Sequence, residues 1–282
     1  MNKEILLTFC PSTIETNRIC GHTFEVMDYY LFLKDSGFTN VKILIQEKIS
    51  REELFKAYSD KYILPDNYKK DIIFKRNLKY LISKGTIIFT GGIDHNYNVK
   101  LISQKLLLFR CNKEIDYSNF KHKNVYLLQD NRFYDKPKNI KIINYIKKIY
   151  FTRYKKINKS DNKTLVYINS NIRKTSLVFN DDYLVVSGTD IKDKTYLKAP
   201  VANLFSKFNK YLYTETTRKF DCSSRLVPEC YFYNKEILFN FNKEEYFKID
   251  KGLKYRYEDT VNNFSNLDLK NGDTICNIIT KK

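Results

Sequence analysis

Tryptophan is absent from this chain of 282 residues, and glycine, proline and histidine are scarce at 8, 5 and 3 residues. So little glycine and proline excludes collagen-like and low-complexity architectures, and no internal repeat is visible. The histidines (His22, His95, His122) form no HExxH, and the six cysteines (Cys10, Cys20, Cys111, Cys222, Cys230, Cys276) include no CxxC pair. Neither a metal site nor a disulfide framework is indicated, and the cysteines read as reduced and mostly buried. No apolar run approaches the roughly 18 residues of a membrane span, and the opening MNKEILLTFCPS lacks a signal-peptide pattern. The expectation is a soluble, cytoplasmic protein with no membrane partner.

What is present is apolar and basic. A hydrophobic content of 43% with 15% aromatics is enough to fill two cores in a chain of this length, so two α/β domains are expected. Lys and Arg number 50 against 32 Asp and Glu, a formal charge of +18. Such an excess attracts polyanions, nucleic acid first among them. An AT-rich coding sequence offers another origin, because it favours Lys, Asn, Ile, Tyr and Phe whatever the protein does. Only 10 of the 50 basic residues are arginine. Arg132, Arg173, Arg225 and Arg256 are therefore more informative than the lysines, since a planar guanidinium fork is chosen where its geometry matters.

Along the chain, Glu4 to Phe9 reads as a strand, Cys10 to Thr23 as a polar loop, and Phe24 to Ser36 as a helix stopped by Gly37. Val41 to Gln46 is the next strand, and Ser50-Arg-Glu-Glu opens a capping box for a helix through Tyr58. Ile72 to Phe74 and Thr86 to Thr90 read as strands, 78–83 and 98–109 as helices, Asn124 to Leu128 as a buried strand, and 140–150 as one or two strands. The polar text between Phe151 and Lys163 is the expected linker, dividing residues 1–155 from 156–282. Beyond it come strands at 165–168, 183–186, 211–214 and 236–241, a helical pattern at 201–208, a closing helix at 255–265, and a tail, 266–282. The alternation predicts parallel, doubly wound sheets.

Ligands of such sheets sit beyond the carboxyl ends of the strands, which singles out the charged residues that follow strands. Arg225 and Glu229, four apart, share a helix face, where arginine could fork onto phosphate and glutamate accept from sugar hydroxyls; an exposed ion pair is the other reading. Asp130 directly follows the strand VYLLQ and is placed for a general base, or for an Asx turn. Arg173 and Lys174 follow strand 165–168 after Ser170, beside a diphosphate position or in a solvated basic turn. His95 lies in the loop after Gly91-Gly92, in contact with a ligand or as plain polar surface. Arg132 opens a basic stretch with interleaved tyrosines, suited to a phosphate backbone. Glu25, on its own terms, reads as a first-turn acid stabilising the helix dipole. No Asp-x-Asp triplet occurs, which argues against metal-dependent single-domain glycosyltransferases, and a divalent ion has no located ligands.

Four stretches carry a resemblance: Phe89-Thr90-Gly91-Gly92 with the later LISQK, VYLLQDNRF at 125–133, LKAPV at 197–201, and the Arg225/Glu229 segment. In that order they resemble the bacteriophage DNA β-glucosyltransferases, of the GT-B architecture, in which two Rossmann-like domains face each other across a cleft. The resemblance implies an inverting transfer of glucose from UDP-glucose to a hydroxymethylated base in double-stranded DNA. It assigns acceptor binding to 1–155, with His95 and Arg132, and nucleotide-sugar binding to 156–282, with Ser170, Arg173, Lys174, Val201, Arg225 and Glu229. Asp130 would be the catalytic base and Glu25 a second acid of the site. No tightly bound cofactor is implied, and a monomer in the host cytoplasm of a virus is expected. Two further readings stay open: transfer to a cell-surface glycan or lipid-linked sugar, and a non-catalytic nucleic-acid-binding protein.

Overall fold

The structure, a computed structural model, describes residues 3–9, 19–76, 80–90, 100–109, 124–129, 140–146, 148–168, 180–187, 197–213, 225–240, 242, 244–245, 267 and 273–281. The chain divides into two compact units, Met1–Tyr154 with Asn266–Lys282, and Lys155–Ser265. The boundary falls inside the polar stretch expected to be the linker. The tail, expected to go with the second domain, instead returns to the first unit.

The first unit holds a 7-stranded parallel sheet of order β3-β2-β1-β5-β7-β8-β9. Its strands are β1 (Ile5–Thr8), β2 (Val41–Gln46), β3 (Ile72–Lys75), β5 (Thr86–Phe89), β7 (Lys105–Phe109), β8 (Val125–Gln129) and β9 (Lys141–Asn144). Period-2 alternation sorts their side chains onto two apolar faces. One face gathers Leu6, Leu44, Ile87, Phe89, Leu106, Leu108, Val125 and Leu127 into a buried cluster. The other meets helix α1 (Gly21–Asp35), where the Tyr29 and Phe109 rings lie 5.0 Å apart. Every residue of α1 from Val26 to Leu33 is buried, so this helix is enclosed all round rather than amphipathic. It stops at Gly37, φ +86°, where Phe38 N–H donates to Leu33 O and Gly37 N–H to Lys34 O, the paired closure that a left-handed residue permits. Ser50 caps α2 (Arg51–Lys61) by accepting from Glu53 N–H.

Two expected helices are strands. Residues expected as helices at 78–83 and 98–109 contain β4 (Tyr80–Ile82), β6 (Lys100–Ile102) and β7. β4 and β6 pair as a two-stranded parallel sheet whose inward Leu81 and Leu101 pack on the cluster of the main sheet. Extended crossovers cover here a face that helices usually cover, because a three-residue element buries one large apolar side chain per strand and needs no more. At the chain's end TICNII is helical, α4 (Thr274–Thr280), capped by Asp273, whose carboxylate accepts from Ile275 N–H. Lys3 Nζ donates to Ile279 O and Lys105 Nζ to Ile278 O at the far end of this helix, where free carbonyls and the dipole favour cations.

The second unit has a 5-stranded parallel sheet, β12-β11-β10-β13-β14. These are β10 (Thr164–Ile168), β11 (Tyr183–Ser187), β12 (Leu197–Lys198), β13 (Lys210–Tyr213) and β14 (Glu236–Phe239). Its core joins Leu165, Val186, Phe205, Phe208, Tyr211, Tyr213, Val227 and Cys230. The helical pattern read over 201–208 is only a 3₁₀ turn, Leu204–Ser206. Helix α3 (Leu226–Phe232) precedes β14. The helix expected at 255–265 lies outside the described residues.

Candidate functional site

In both sheets the strand order reverses at the first strand of the unit: between β1 and β5, and between β10 and β13. At such a reversal the crossovers leave on opposite sides and open a crevice at the carboxyl ends. Polar residues collect at those ends. Thr8 and Gln129 end β1 and β8, Thr90 follows β5, Ser187 ends β11, and all four are buried. Thr8 Oγ1 donates to Leu44 O at 3.0 Å.

Helix α1 runs back to the amino edge, where Asn40 O accepts from Ile5 N–H as the chain enters β2. Its 15 residues span about 22 Å, longer than any strand beneath it, so its first turn stands at the carboxyl edge. The helix starts three residues earlier than expected. Glu25 is therefore in the second turn and not a first-turn acid, and the first turn carries no acid at all. His22 Nδ1–H donates to Glu25 Oε2 at 3.2 Å. The two side chains differ in access, at 30% and 8% exposed. One turn deeper, Tyr29 OH lies 3.4 Å from Tyr145 OH, which lies 3.5 Å from Asp273 Oδ2. Burial first, then the Glu25 charge, holds the Tyr29 phenol well above its usual value, and Tyr145 is raised mainly by burial as well. Both phenols are thus neutral donors tying α1 to the returning tail.

In the second unit Arg225 stands at the N-terminal boundary of α3, and its Nε–H donates to Glu229 Oε1 at 2.6 Å. The pair was expected either to bind a ligand or to be an exposed ion pair. It is a pair, but buried, with side chains 12% and 2% exposed. Tyr233, one turn further, is raised by burial and then by Glu229, with Arg225 opposing. A guanidinium–carboxylate pair this enclosed is rigid. Val201 lies partly buried against the core of the second unit, after β12.

Of the residues singled out by sequence, Glu25, Val201, Arg225 and Glu229 fall among those described. Asp130, Arg132, His95, Ser170, Arg173 and Lys174 lie outside them, as do Gly91 and Gly92. The strand ends that precede them are in place, with β8 ending at Gln129 and β10 at Ile168. β8 stands three strands from β1 in the sheet order, about 14 Å. Sequence reasoning missed His22, Tyr145 and Asp273. His22 could have been found from its i,i+3 spacing to Glu25 had the helix been started at Cys20, whose N–H donates to Thr23 Oγ1 at 3.1 Å. Among the described residues no group of three His, Cys, Asp or Glu could hold a metal ion, and no helix is long and apolar enough to cross a membrane. No protein-family model, no curated protein and no solved structure matches the chain, so a functional reading rests on its own residues and their geometry.

Proposed function

We propose that this protein is an inverting glycosyltransferase of GT-B type that moves a sugar, glucose from UDP-glucose as the favoured donor, to the hydroxymethyl group of a modified base in double-stranded DNA. The observation that carries the reading is the pair of separate parallel sheets, each with its own strand-order reversal. Each reversal is a position at which doubly wound sheets hold nucleotides and other ligands. The +18 charge supports a polyanionic acceptor.

In this reading the second unit binds the nucleotide sugar. Arg225 and Glu229 form its fixed polar element, the partly exposed guanidinium being the member that can reach a ligand, with Ser170, Arg173, Lys174 and Val201 around the diphosphate and uracil. Cationic donors there stabilise the charge that grows on the departing UDP. The first unit receives the acceptor, with Arg132 and His95 near DNA. A base inside a duplex cannot reach a crevice, so it is flipped out. Acid–base work falls to the carboxyl edge of the first sheet, where Asp130 follows β8 and Glu25 sits in α1. The hydroxymethyl O–H breaks, its oxygen bonds to the anomeric carbon, and the bond from that carbon to the diphosphate oxygen breaks with inversion.

The test is a cross-screen of UDP- and GDP-sugars against duplexes containing hydroxymethylcytosine or hydroxymethyluracil, read by mass spectrometry of the released nucleosides. A hexose-shifted nucleoside with one donor is the expected result. Transfer only to a glycan or lipid-linked sugar would move the acceptor elsewhere, and turnover of no nucleotide sugar would leave a nucleic-acid-binding protein.

A further inference from the structure

We infer that the outward face of the β4–β6 ribbon, with the lysines of the adjoining sheet edge, is a docking surface for an anionic lipid bilayer. The inference uses neither sheet's carboxyl end and stands apart from the glycosyl-transfer reading. The register sets Ile82 directly opposite Ile102, and Tyr80, two residues before Ile82, shares their face. Tyr80, Ile82 and Ile102 are 66%, 64% and 48% exposed, while Leu81 and Leu101 turn inward onto the core of the main sheet. Single apolar residues scattered over a surface are ordinary. Here three of the five large apolar side chains exposed among the described residues lie on one two-stranded face.

Cations gather where the ribbon ends. Ser83 N–H donates to Ile102 O at 2.8 Å and Gln104 N–H to Gly85 O at 2.8 Å, which delivers both strands to the amino edge of the main sheet. Lys84 stands exposed there, Lys3 precedes β1, Lys105 opens β7 and Lys141 opens β9. Lys3 and Lys105 both donate to Ile279 O, at 3.2 and 3.3 Å, and the exposed Lys281 follows on the same helix end. Burial first, then the charges of Lys3, Lys141 and Lys281, hold the Lys105 ammonium below its usual value. On the β3 side of this edge the cations are neutralised, Lys34 and Lys42 by Asp71. Among the described residues no carboxylate pairs with Lys3, Lys84, Lys105, Lys141 or Lys281.

This combination selects the occupant. A second copy would press the same lysines against themselves, in a chain of formal charge +18. A phosphate backbone would answer the lysines and leave the isoleucines in water. A stable protein partner needs about 800 Å² from each side, more than three side chains supply. An anionic bilayer meets both features, with lysines at the headgroups, isoleucines below them and the amphipathic tyrosine ring at the boundary. The expectation of no membrane partner rests on the lack of a spanning run, and surface docking needs none.

The lack of tryptophan provides the test. Tyr80→Trp places a single emitter on the ribbon. Vesicles of phosphatidylcholine with phosphatidylserine should shift its emission to the blue, lipids brominated on the acyl chain should quench it, and phosphatidylcholine alone should do neither. In vesicle sedimentation, Ile82→Thr with Ile102→Thr, which keeps β-branched side chains in both strands, should bind about tenfold more weakly. Lys84→Gln and Lys141→Gln should each weaken binding about fivefold, an effect that added salt removes. No vesicle binding at low salt overturns the inference, and so does binding that the lysine variants weaken and the threonine pair leaves unchanged. A dimer in light scattering that the threonine pair dissolves gives the face to a second copy, and duplex-DNA binding lost in that pair gives it to DNA; either result overturns it. Sugar transfer to DNA that none of these variants alters leaves the functional reading standing whatever the vesicles show.

Discussion

The two edges of the first sheet are built differently. At the amino edge charges are closed into clusters: Asp71 accepts from Tyr30 OH at 2.8 Å and pairs with Lys34 at 2.8 Å and Lys42 at 2.5 Å. Nearby, Asp35 takes a two-pronged contact from Arg153, Nε at 2.8 Å and Nη2 at 2.5 Å, and a third from Tyr150 OH at 2.9 Å. Glu4 Oε2 accepts from Ser83 Oγ and Lys84 N–H, and Gly85 passes so near Glu4 O that a Cβ would lie 2.1 Å from it. The carboxyl edge has the buried Thr8, Thr90 and Gln129 and the His22–Glu25 pair, with no lysine or arginine named among them. The lesson is a division of labour along one helix. The last turn of α1 is held through Asp35 by Arg153 and Tyr150, whereas its first turn carries the His22–Glu25 pair.

The Arg225–Glu229 pair is the hard case, because it is closed like an amino-edge cluster yet belongs to the segment that follows β13. Arg225→Ala separates the two roles and carries the largest expected effect. It strands a buried carboxylate, so urea unfolding followed by tyrosine fluorescence should show a loss of about 3 to 5 kcal/mol for the second unit. If the pair also serves the donor, UDP titrated calorimetrically under native conditions should bind at least tenfold more weakly. Unchanged UDP affinity would make the pair structural only.

Next in size is Asp71→Asn, which should cost about 2 kcal/mol at pH 7 while kcat stays within twofold. Burial acts to raise the Asp71 carboxyl, but hydrogen bonds from Lys34, Lys42 and Tyr30 prevail and hold it below its usual value. A carboxyl lowered on folding gives its full stabilisation above the unfolded value and loses it as pH falls through the folded one. The gap between wild type and Asp71→Asn should therefore close below about pH 4. A gap that persists at pH 2 would show the cluster is not what the substitution breaks. Tyr30→Phe removes a single donor from the same carboxylate and should cost about 1 kcal/mol. Smallest is Arg153→Lys, which keeps the charge but loses the fork. About 0.5 kcal/mol is expected for a half-buried pair that keeps its charge, and a loss above 2 kcal/mol would mean that Asp35 anchors more than the end of α1.

Periodicity alone determined much of this protein. Alternating apolar runs such as VKILIQ and VYLLQ specify strands because every second side chain must enter a core, and Gly37 and Ser50 mark helix ends because left-handed backbone and capping oxygens are local requirements. Position directly after a strand also follows from sequence, which is why Asp130 could be singled out. Tertiary structure decided the rest. LISQKLLLF is apolar enough for a helix or for two strands, and only pairing of β6 with β4 and of β7 with β5 and β8 selects strands. TICNII is too short to be stable alone, and its place against the first unit depends on Tyr145, Lys148, Lys3 and Lys105, between 125 and 277 residues away in sequence. The burial of Arg225 with Glu229, and the partnership of His22 with Glu25, likewise depend on what packs around them, because i,i+3 and i,i+4 spacing brings side chains together but cannot say whether water does too.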